Sequence, residues 1–126
     1  MRNLIILILA IIILLSAGIW QIKYIEETSV FAISDVEYAE NLVWNDNFDG
    51  ANTHIKELEN TWDEMKTMWI MFIDHNEIDD VEMALLNFKT YVNLRNKEES
   101  IVYSEQLKHN LYHISLKQKV RIENVF

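Results

Sequence analysis

The first two dozen residues contain an uncharged run that is long enough to cross a lipid bilayer. Residues 3–22 are twenty positions without a charged side chain, and a helix that rises about 1.5 Å per residue covers a hydrocarbon layer of roughly 30 Å over that length. Trp20 and Tyr24 stand at its far end, where aromatic rings favour the headgroup region, and the Lys23 amine can extend to the same interface. The run predicts one transmembrane helix within an anchor of residues 1–26.

The charges that flank the run indicate its orientation. Arg2 precedes it, whereas Lys23 is followed at once by Glu26 and Glu27, so positive charge is slightly biased toward the N-terminal side. The body, residues 27–126, is therefore expected outside the cytoplasm, as the C-terminal domain of a single-pass protein of the cell membrane.

A cleaved signal peptide is the alternative, because Ser16 and Gly18 form a small-x-small site. The apolar run continues past Gly18 as far as Ile22, which is longer than a usual signal core and favours an uncleaved anchor. The body is exported in either case.

The composition of the body indicates helices. The chain has no proline, no cysteine and two glycines, so it lacks the residues that usually break helices or form hairpins. Without cysteine there is no disulfide framework and no thiol nucleophile. The predicted fold class is all-α, with the N-terminal transmembrane helix followed by a small antiparallel four-helix bundle made of two hairpins.

Apolar residues recur at helical spacing in four segments. They predict helices at about 28–46, from Asp49 as N-cap to 72, 78–92 and 97–114. The residues expected in the core are Ile33, Val36, Ala39, Leu42, Val43, Ala51, Ile55, Leu58, Trp62, Met65, Trp69, Phe72, Ile78, Val81, Leu85, Phe88, Val92, Tyr103, Leu107, Leu111 and Ile114.

The C-terminal segment "SLKQKVRIENVF" is expected to pack back onto the bundle, since a terminal aromatic side chain is costly to leave in water. A basic, apolar peptide that binds a partner or the membrane surface is the alternative. The apolar residues of this segment are Leu116, Val120, Ile122, Val125 and Phe126.

The two predicted hairpins share a short sequence. "ISDVEYA" at 33–39 and "IDDVEMA" at 78–84 agree at five of seven positions. Twelve residues separate Ala39 from Ala51 and sixteen separate Ala84 from Ser100, so the second hairpin is predicted to be about one helical turn longer. Duplication of one hairpin is one interpretation, and shared helix-start chemistry is the other.

The charge of the chain is unevenly distributed. Residues 24–105 carry nineteen Asp and Glu against five Lys and Arg, a net charge of minus fourteen, whereas residues 106–126 carry four Lys and Arg against one Glu, a net charge of plus three. Phosphate binding needs a basic surface, so nucleic acid is excluded as an expected partner. A cationic patch on another protein suits the acidic body, while a well-solvated surface without any partner is the simpler interpretation.

The stretch "FIDHNEIDD" at 72–80 holds three aspartates, one glutamate and one histidine. Helix capping explains most of it: Asp74 and His75 would end one helix, and Asn76 would be the N-cap of the next. The alternative is a metal site, because an antiparallel helix pair would bring His113 near Asp74, His75 and Glu77, whose side chains are competent ligands.

Two further patterns have weaker chemical meaning. His109 and His113 are spaced i, i+4, yet Asn110 stands where a zinc-protease helix has glutamate, so surface histidines are the expected interpretation. Trp62 and Trp69 resemble a ligand-stacking ladder, but aromatic residues on a continuous apolar stripe usually belong to the core. With no glycine-rich phosphate loop and no nucleophile beside a recognisable base, we expect no enzymatic activity and no cofactor.

The segment "NTWDEMKTMWIMFIDHNEIDDVEMAL", with its two tryptophans followed by Asp-His-x-Glu-Ile-Asp, and the closing "HISLKQKVRIENVF" resemble an uncharacterised bacterial family catalogued as domain of unknown function 4363. The resemblance is nearly full length and implies a small protein with one N-terminal membrane segment and no known active site. The family often has proline where this chain has Ser115, so the fourth helix is expected to run on here.

The leading functional hypothesis is an interaction or structural module of the cell envelope that binds another protein through an acidic or aromatic helix surface. The alternative is a metal-binding or metal-dependent helical domain that uses the acidic turn 74–79 with His113. A third hypothesis, a ligand binder built on Trp62 and Trp69, requires an internal cavity.

Overall fold

A computed structural model describes residues 1–125, including their side chains except those of residues 122, 124 and 125. Within this range the chain is all-α and its helices pack together in one bundle. The helices are α1 Arg2–Trp44, α2 Phe48–Trp69, α3 His75–Asn93 and α4 Lys97–Val125.

The apolar run and the first helix of the bundle form one continuous helix, α1. The sequence predicts an anchor followed by four further helices, whereas the described part of the chain, residues 1–125, has four helices, and α1 contains both the apolar run and the first helix of the bundle. No proline or glycine follows Gly18 within α1, so nothing in the backbone chemistry interrupts it. Its residues up to Trp20 are almost all exposed, and burial in the bundle begins at Ile25.

Neighbouring helices run antiparallel. Each helix packs against the next one in the chain, and α4 packs against α1, which closes the bundle. On α1 and α4, Glu26 contacts Lys119 and Glu40 contacts Ser104, so residue numbers rise along one helix as they fall along the other. The other neighbouring helices show the same reversed order of residue numbers. The contacts are Thr28–Trp69 and Asp35–His54 between α1 and α2, Trp62–Glu82 and Glu59–Lys89 between α2 and α3, and Glu77–Lys117 and Asp80–Asn110 between α3 and α4.

The bundle therefore has two distinct ends. The proximal end is where α1 leaves the bundle toward residue 1, and it contains the α2–α3 connection, residues 70–74, and the last turns of α4. The distal end contains the connections at 45–47 and 94–96.

The core confirms the predicted apolar stripes. Of the expected residues, Ile33, Leu42, Phe72 and Tyr103 are only partly buried and the others are buried. The largest side chains that are almost fully enclosed are Trp69 and Phe88. Core positions that the stripes did not include are Ile25, Ser29, Ala32, Glu40, Phe48, Ile73, Ala84, Ser100, Ser104 and Gln118.

The two distal turns have the same backbone conformation. Asp46 and Arg95 adopt left-handed φ angles of 61° and 56°, and each is followed by an asparagine that caps the next helix. Both turns close as Schellman motifs. Their backbone bonds run from the Asp46 and Asn47 N–H groups to the Val43 and Leu42 carbonyls, and from the Arg95 and Asn96 N–H groups to the Val92 and Tyr91 carbonyls.

The similarity between the two hairpins thus extends from the shared short sequence into the turns. Asn47 lies eight residues after Ala39, and Asn96 lies twelve residues after Ala84, which is the extra helical turn predicted for the second hairpin. Asn47 replaces the predicted cap Asp49: its side chain accepts a bond of 3.0 Å from the Gly50 N–H. A Cβ on Gly50 would approach the Asn47 side chain to 2.7 Å, so the glycine leaves room for this cap.

Helix α4 runs through Ser115 to Val125, as expected from the serine that stands where the family often has proline. The prediction that Leu116 and Val120 pack back onto the bundle is wrong, because both are exposed. This part of α4 packs instead through Gln118, which is buried, and through an ion pair of 2.7 Å between Lys119 and Glu26. The expectation for Ile122, Val125 and Phe126 lies outside the described side chains.

Candidate functional site

The acidic stretch 72–80 lies at the proximal end, where α2 is connected to α3. The predicted boundaries are wrong here: Asp74 is the N-cap of α3, and His75 is the first residue of that helix rather than the last residue of α2. The Glu77 N–H donates to the Asp74 carbonyl at 3.0 Å, which places Asn76 inside the helix. The Asp74 side chain makes no capping bond, so its carboxylate faces other groups.

These carboxylates face cations of α4. The Lys117 ammonium lies 3.0 Å from the Glu77 carboxylate and 3.6 Å from that of Asp74, and the Arg121 guanidinium lies 3.7 Å from Asp74. The hydrogen bond to Glu77, and then the Glu77 charge, raise the pKa of Lys117. The positive charges of the C-terminal segment therefore compensate the negative charges of the acidic turn. The sequence alone did not indicate that the two segments are neighbours.

The predicted approach of His113 to the turn does not occur. The residue of α4 that reaches Glu77 is Lys117, one helical turn closer to the C-terminus. His113 is exposed, and its ring stacks on that of His109, which is also exposed, with 6.2 Å between the ring centres. The prediction of two surface histidines is therefore confirmed.

The four candidate ligands do not converge. The His75 side chain is 82 % exposed, and its Nε2 lies 4.0 Å from the Asp79 carboxylate on the same helix. Asp74 and Glu77 both contact the Lys117 ammonium, which lies where a metal ion shared by the two carboxylates would bind. Among residues 1–125, the described side chains include no group of three or more His, Asp or Glu that could hold a metal ion.

A polar cluster that sequence reasoning missed crosses the interior between α1 and α4. Glu40 is 9 % exposed, and its carboxylate accepts a bond of 2.6 Å from the Ser104 hydroxyl. The Lys108 ammonium lies 3.1 Å from the same carboxylate oxygen and 2.8 Å from Glu105. Burial lowers the pKa of Lys108, but its hydrogen bonds to Glu105 and Glu40 outweigh that effect and raise it overall. The cluster joins the two longest helices of the bundle.

A second cluster links α2 to α3. The Trp62 indole N–H donates to the Glu82 carboxylate at 3.3 Å, and Lys66 forms an ion pair with the same oxygen. The hydrogen bond from Lys66 is the main cause that lowers the pKa of Glu82, with a smaller contribution from Trp62 against the opposing effect of burial. Both clusters consist of charges that satisfy one another within the bundle.

Acidification is expected to weaken the Glu82 cluster. Because the pKa of Glu82 is lowered by folding, its stabilising contribution is present above its ordinary pKa of 4.5 and is lost as the pH falls through the folded value. Glu82 is about one-third exposed, so solvent screening limits the contribution to about 1 kcal/mol or less. Urea unfolding of the full chain in detergent micelles between about pH 6 and pH 3 should show a smaller loss of stability in Glu82→Gln than in wild type.

The matched control for this prediction is Glu98→Gln, which changes an exposed acid at the distal end. It should leave the acid-induced loss of stability as in wild type. An equal loss in wild type and Glu82→Gln would contradict the assigned role of Glu82.

The two tryptophans of α2 belong to the core. Their rings meet edge to face with centres 5.4 Å apart, and both are buried. The small space between the helices beside Trp62 is about 10 Å³ and is lined by apolar side chains, whereas small-molecule sites are typically about 300 Å³ or more. The structure therefore supports the core interpretation of Trp62 and Trp69 over a ligand ladder.

His54 is another residue that the sequence did not single out. It lies on α2 facing α1, with Asp35 and Glu57 each 3.6 Å from one of its ring nitrogens and the Tyr38 ring 4.6 Å away, centre to centre. Only the helix pairing brings these residues together, because Asp35 and Tyr38 are far from His54 in the sequence.

Fold and site define a class of protein: an acidic antiparallel helical bundle that continues from a long apolar N-terminal helix and pairs many of its basic side chains with its own carboxylates. A family model described as Domain of unknown function (DUF4363) matches residues 19–125. The chain belongs to that family, as its tryptophan-rich and closing motifs indicated.

Neither the comparison with curated proteins nor that with solved structures found a match. The family match begins at residue 19, directly after the small-x-small site that ends at Gly18. It therefore fits both a retained anchor and a removed signal sequence, and it covers the whole bundle.

Proposed function

We propose that this chain is a single-pass membrane protein in which α1 anchors an acidic helical bundle outside the cytoplasm, and that the bundle acts by binding another protein. The observation that carries the proposal is the division of α1. Its apolar part is long enough to cross a membrane and none of it is buried in the protein, while its second part supplies core residues from Ile25 to Val43.

This arrangement favours an anchor over a removed signal sequence. A signal sequence needs no structural continuity with the mature domain, whereas here a helix without a break joins the apolar run to the core. Trp20 and Tyr24 stack with ring centres 5.5 Å apart at the junction, where aromatic side chains favour the membrane interface. A continuous helix would also hold the bundle at a fixed height above the bilayer.

The acidic surface indicates the chemistry of the partner. Several basic side chains of the bundle are already paired with its own carboxylates, among them Lys66, Lys89, Arg95, Lys97 and Lys108. Because acids outnumber bases by fourteen in residues 24–105, the remaining surface charge is strongly negative. A protein with a basic patch is the partner that such a surface attracts, and the attraction should weaken as salt concentration rises.

The anchor is tested with single thiols, because the natural chain has no cysteine. In intact bacterial cells, a membrane-impermeant maleimide should label the exposed distal position in Glu98→Cys, and it should label Arg2→Cys only after the membrane is opened. The chain should stay in the membrane after an alkaline wash, and its mass should include residues 1–18. A mature chain that begins at residue 19 would contradict the anchor.

Partner binding is tested in the same cells by carbodiimide cross-linking, which joins carboxylates to lysine amines. We expect a discrete adduct heavier than the chain, with a yield that falls as salt is added. If the chain is anchored but no salt-sensitive adduct forms, the binding part of the proposal is wrong while the anchor remains.

A further inference from the structure

The α2–α3 connection exposes two large apolar side chains at the proximal end. Ile70 is 48 % exposed and Met71 is 67 % exposed, whereas Ile73 is buried and Phe72 packs against the core. Backbone bonds hold this conformation, since the N–H groups of residues 70–73 donate to carbonyls in the last turn of α2. Ile70 and Met71 therefore point away from the bundle because their neighbours are fixed inside it.

The contacts of α4 give the height of this connection along α1. Arg121 contacts Asp74 at the end of the connection, and Lys119, two residues earlier on α4, contacts Glu26. Glu26 follows the last residue of the uncharged run, Ile22, by four positions, which is about 6 Å along a helix. The connection thus lies within about one or two helical turns of the point where the apolar run ends.

The surroundings of the connection suit a lipid headgroup region. The stacked Trp20 and Tyr24 rings lie on α1 within about two helical turns of Glu26, and Lys23 between them is exposed. The acid of the connection, Asp74, faces Lys117 and Arg121. Because these cations offset its negative charge, Asp74 repels lipid phosphates less strongly than an isolated carboxylate would.

From this geometry we propose that Ile70 and Met71 form a second membrane contact, in which both side chains enter the headgroup region of the bilayer that α1 spans. The contact rests on the proposed function, because it needs α1 in the membrane. It gives the bundle two attachments to the lipid surface, which would fix its tilt and its rotation about α1 as well as its height.

The test places a fluorophore on a single thiol of the full chain, reconstituted into phosphatidylcholine vesicles that contain headgroup spin-labelled phosphatidylcholine. The variants are Met71→Cys at the connection, Leu94→Cys at the distal end and Ile13→Cys in the middle of the apolar run. Leu94 is the matched control, because its exposed fraction of 67 % equals that of Met71. We expect the spin-labelled lipid to quench the label at position 71 several-fold more than the label at position 94. Iodide, a water-soluble quencher, should show the reverse order.

The third position separates the two proposals. Its label should be protected from iodide and quenched by lipid that carries the spin label deep in the acyl chain; if it is not, the anchor itself is wrong. If position 13 is in lipid but position 71 is as accessible to iodide as position 94, the membrane contact is wrong and the anchor stands. Protection of position 71 from iodide without quenching by lipid would show a protein cover, such as a second copy of the chain, and would also overturn the contact.

Discussion

Replacing Trp69 by alanine is expected to lower the free energy of unfolding by about 3–5 kcal/mol, the cost typical of removing a fully buried aromatic side chain. Trp69 has no exposed surface, its ring meets that of Trp62, and its indole N–H donates to the Thr28 hydroxyl at 3.0 Å. The substitution therefore opens a cavity and also removes a contact between α2 and α1. Since small domains are stable by only about 5–15 kcal/mol, urea unfolding of the full chain in micelles, followed by circular dichroism, should show a large shift of the midpoint.

Trp44→Ala is the matched control, because it removes the same side chain from an exposed position at the distal end of α1. Trp44 contributes a contact with the Lys97 ammonium, which lies 5.8 Å from its ring centre, so the expected loss is about 1 kcal/mol or less. Trp69→Phe should fall between the two alanine variants, since it keeps most of the buried ring and loses the bond to Thr28. Equal losses at positions 44 and 69 would contradict the proposed role of Trp69.

The helices of the body could be predicted because an apolar stripe and a polar opposite surface repeat at 3.6 residues. In α2 the stripe from Ala51 to Trp69 is uninterrupted, and every predicted member is buried. In α4 the buried positions continue the same spacing through Ser100, Ser104 and Gln118. These polar residues made the apolar stripe of α4 look short, so the predicted helix ended at 114, although its predicted start at 97 agrees with the structure.

The continuity of the apolar run with the first bundle helix was missed for a different reason. The change from apolar to acidic composition at Glu26 and Glu27 resembles a domain boundary, but helical hydrogen bonds join backbone groups and do not depend on side-chain polarity. The core spacing of α1 also begins early, at Ile25 and Ser29. Ser29 would not be counted as apolar, although its hydroxyl donates to the Leu111 carbonyl at 2.8 Å inside the bundle.

The candidate metal site depended on the register between α3 and α4, which the sequence could not supply. Glu77 pairs with position 117 and not with 113, across a helix pair joined by the turn at 94–96. A shift of one helical turn is enough to replace a histidine by a lysine beside the carboxylates. The family resemblance is confirmed over residues 19–125, and that family has no described function from which a site could be assigned.

The second large effect is expected from the cluster of Glu40, Ser104 and Lys108. Lys108→Ala would leave the Glu40 carboxylate, which is 9 % exposed, with only the Ser104 hydroxyl as partner. Loss of one member of a fully buried ion pair costs about 3–5 kcal/mol, and exposed pairs contribute about 0–1 kcal/mol. Because Lys108 keeps some contact with solvent, we expect a loss of about 2–3 kcal/mol. Lys119→Ala, which breaks the more exposed pair with Glu26, should cost clearly less.

The double variant Glu40→Leu with Lys108→Met distinguishes the cost of an unpaired charge from the strength of the pair. Apolar residues of similar size remove both charges, and the Ser104 hydroxyl can still donate to the Ile101 carbonyl, which lies 2.8 Å away. Buried ion pairs replaced in this way are often neutral or stabilising. Urea unfolding should therefore place the free energy of unfolding of the double variant within about 1 kcal/mol of wild type and above that of Lys108→Ala.

A double variant less stable than Lys108→Ala would show instead that the pair itself stabilises the contact between α1 and α4. If the expected order of stabilities is found, the cluster serves mainly to fix the register of α4 on α1. The buried Glu40 carboxylate can pair with Lys108 in this register, whereas a shift of α4 by one helical turn would separate the two charges.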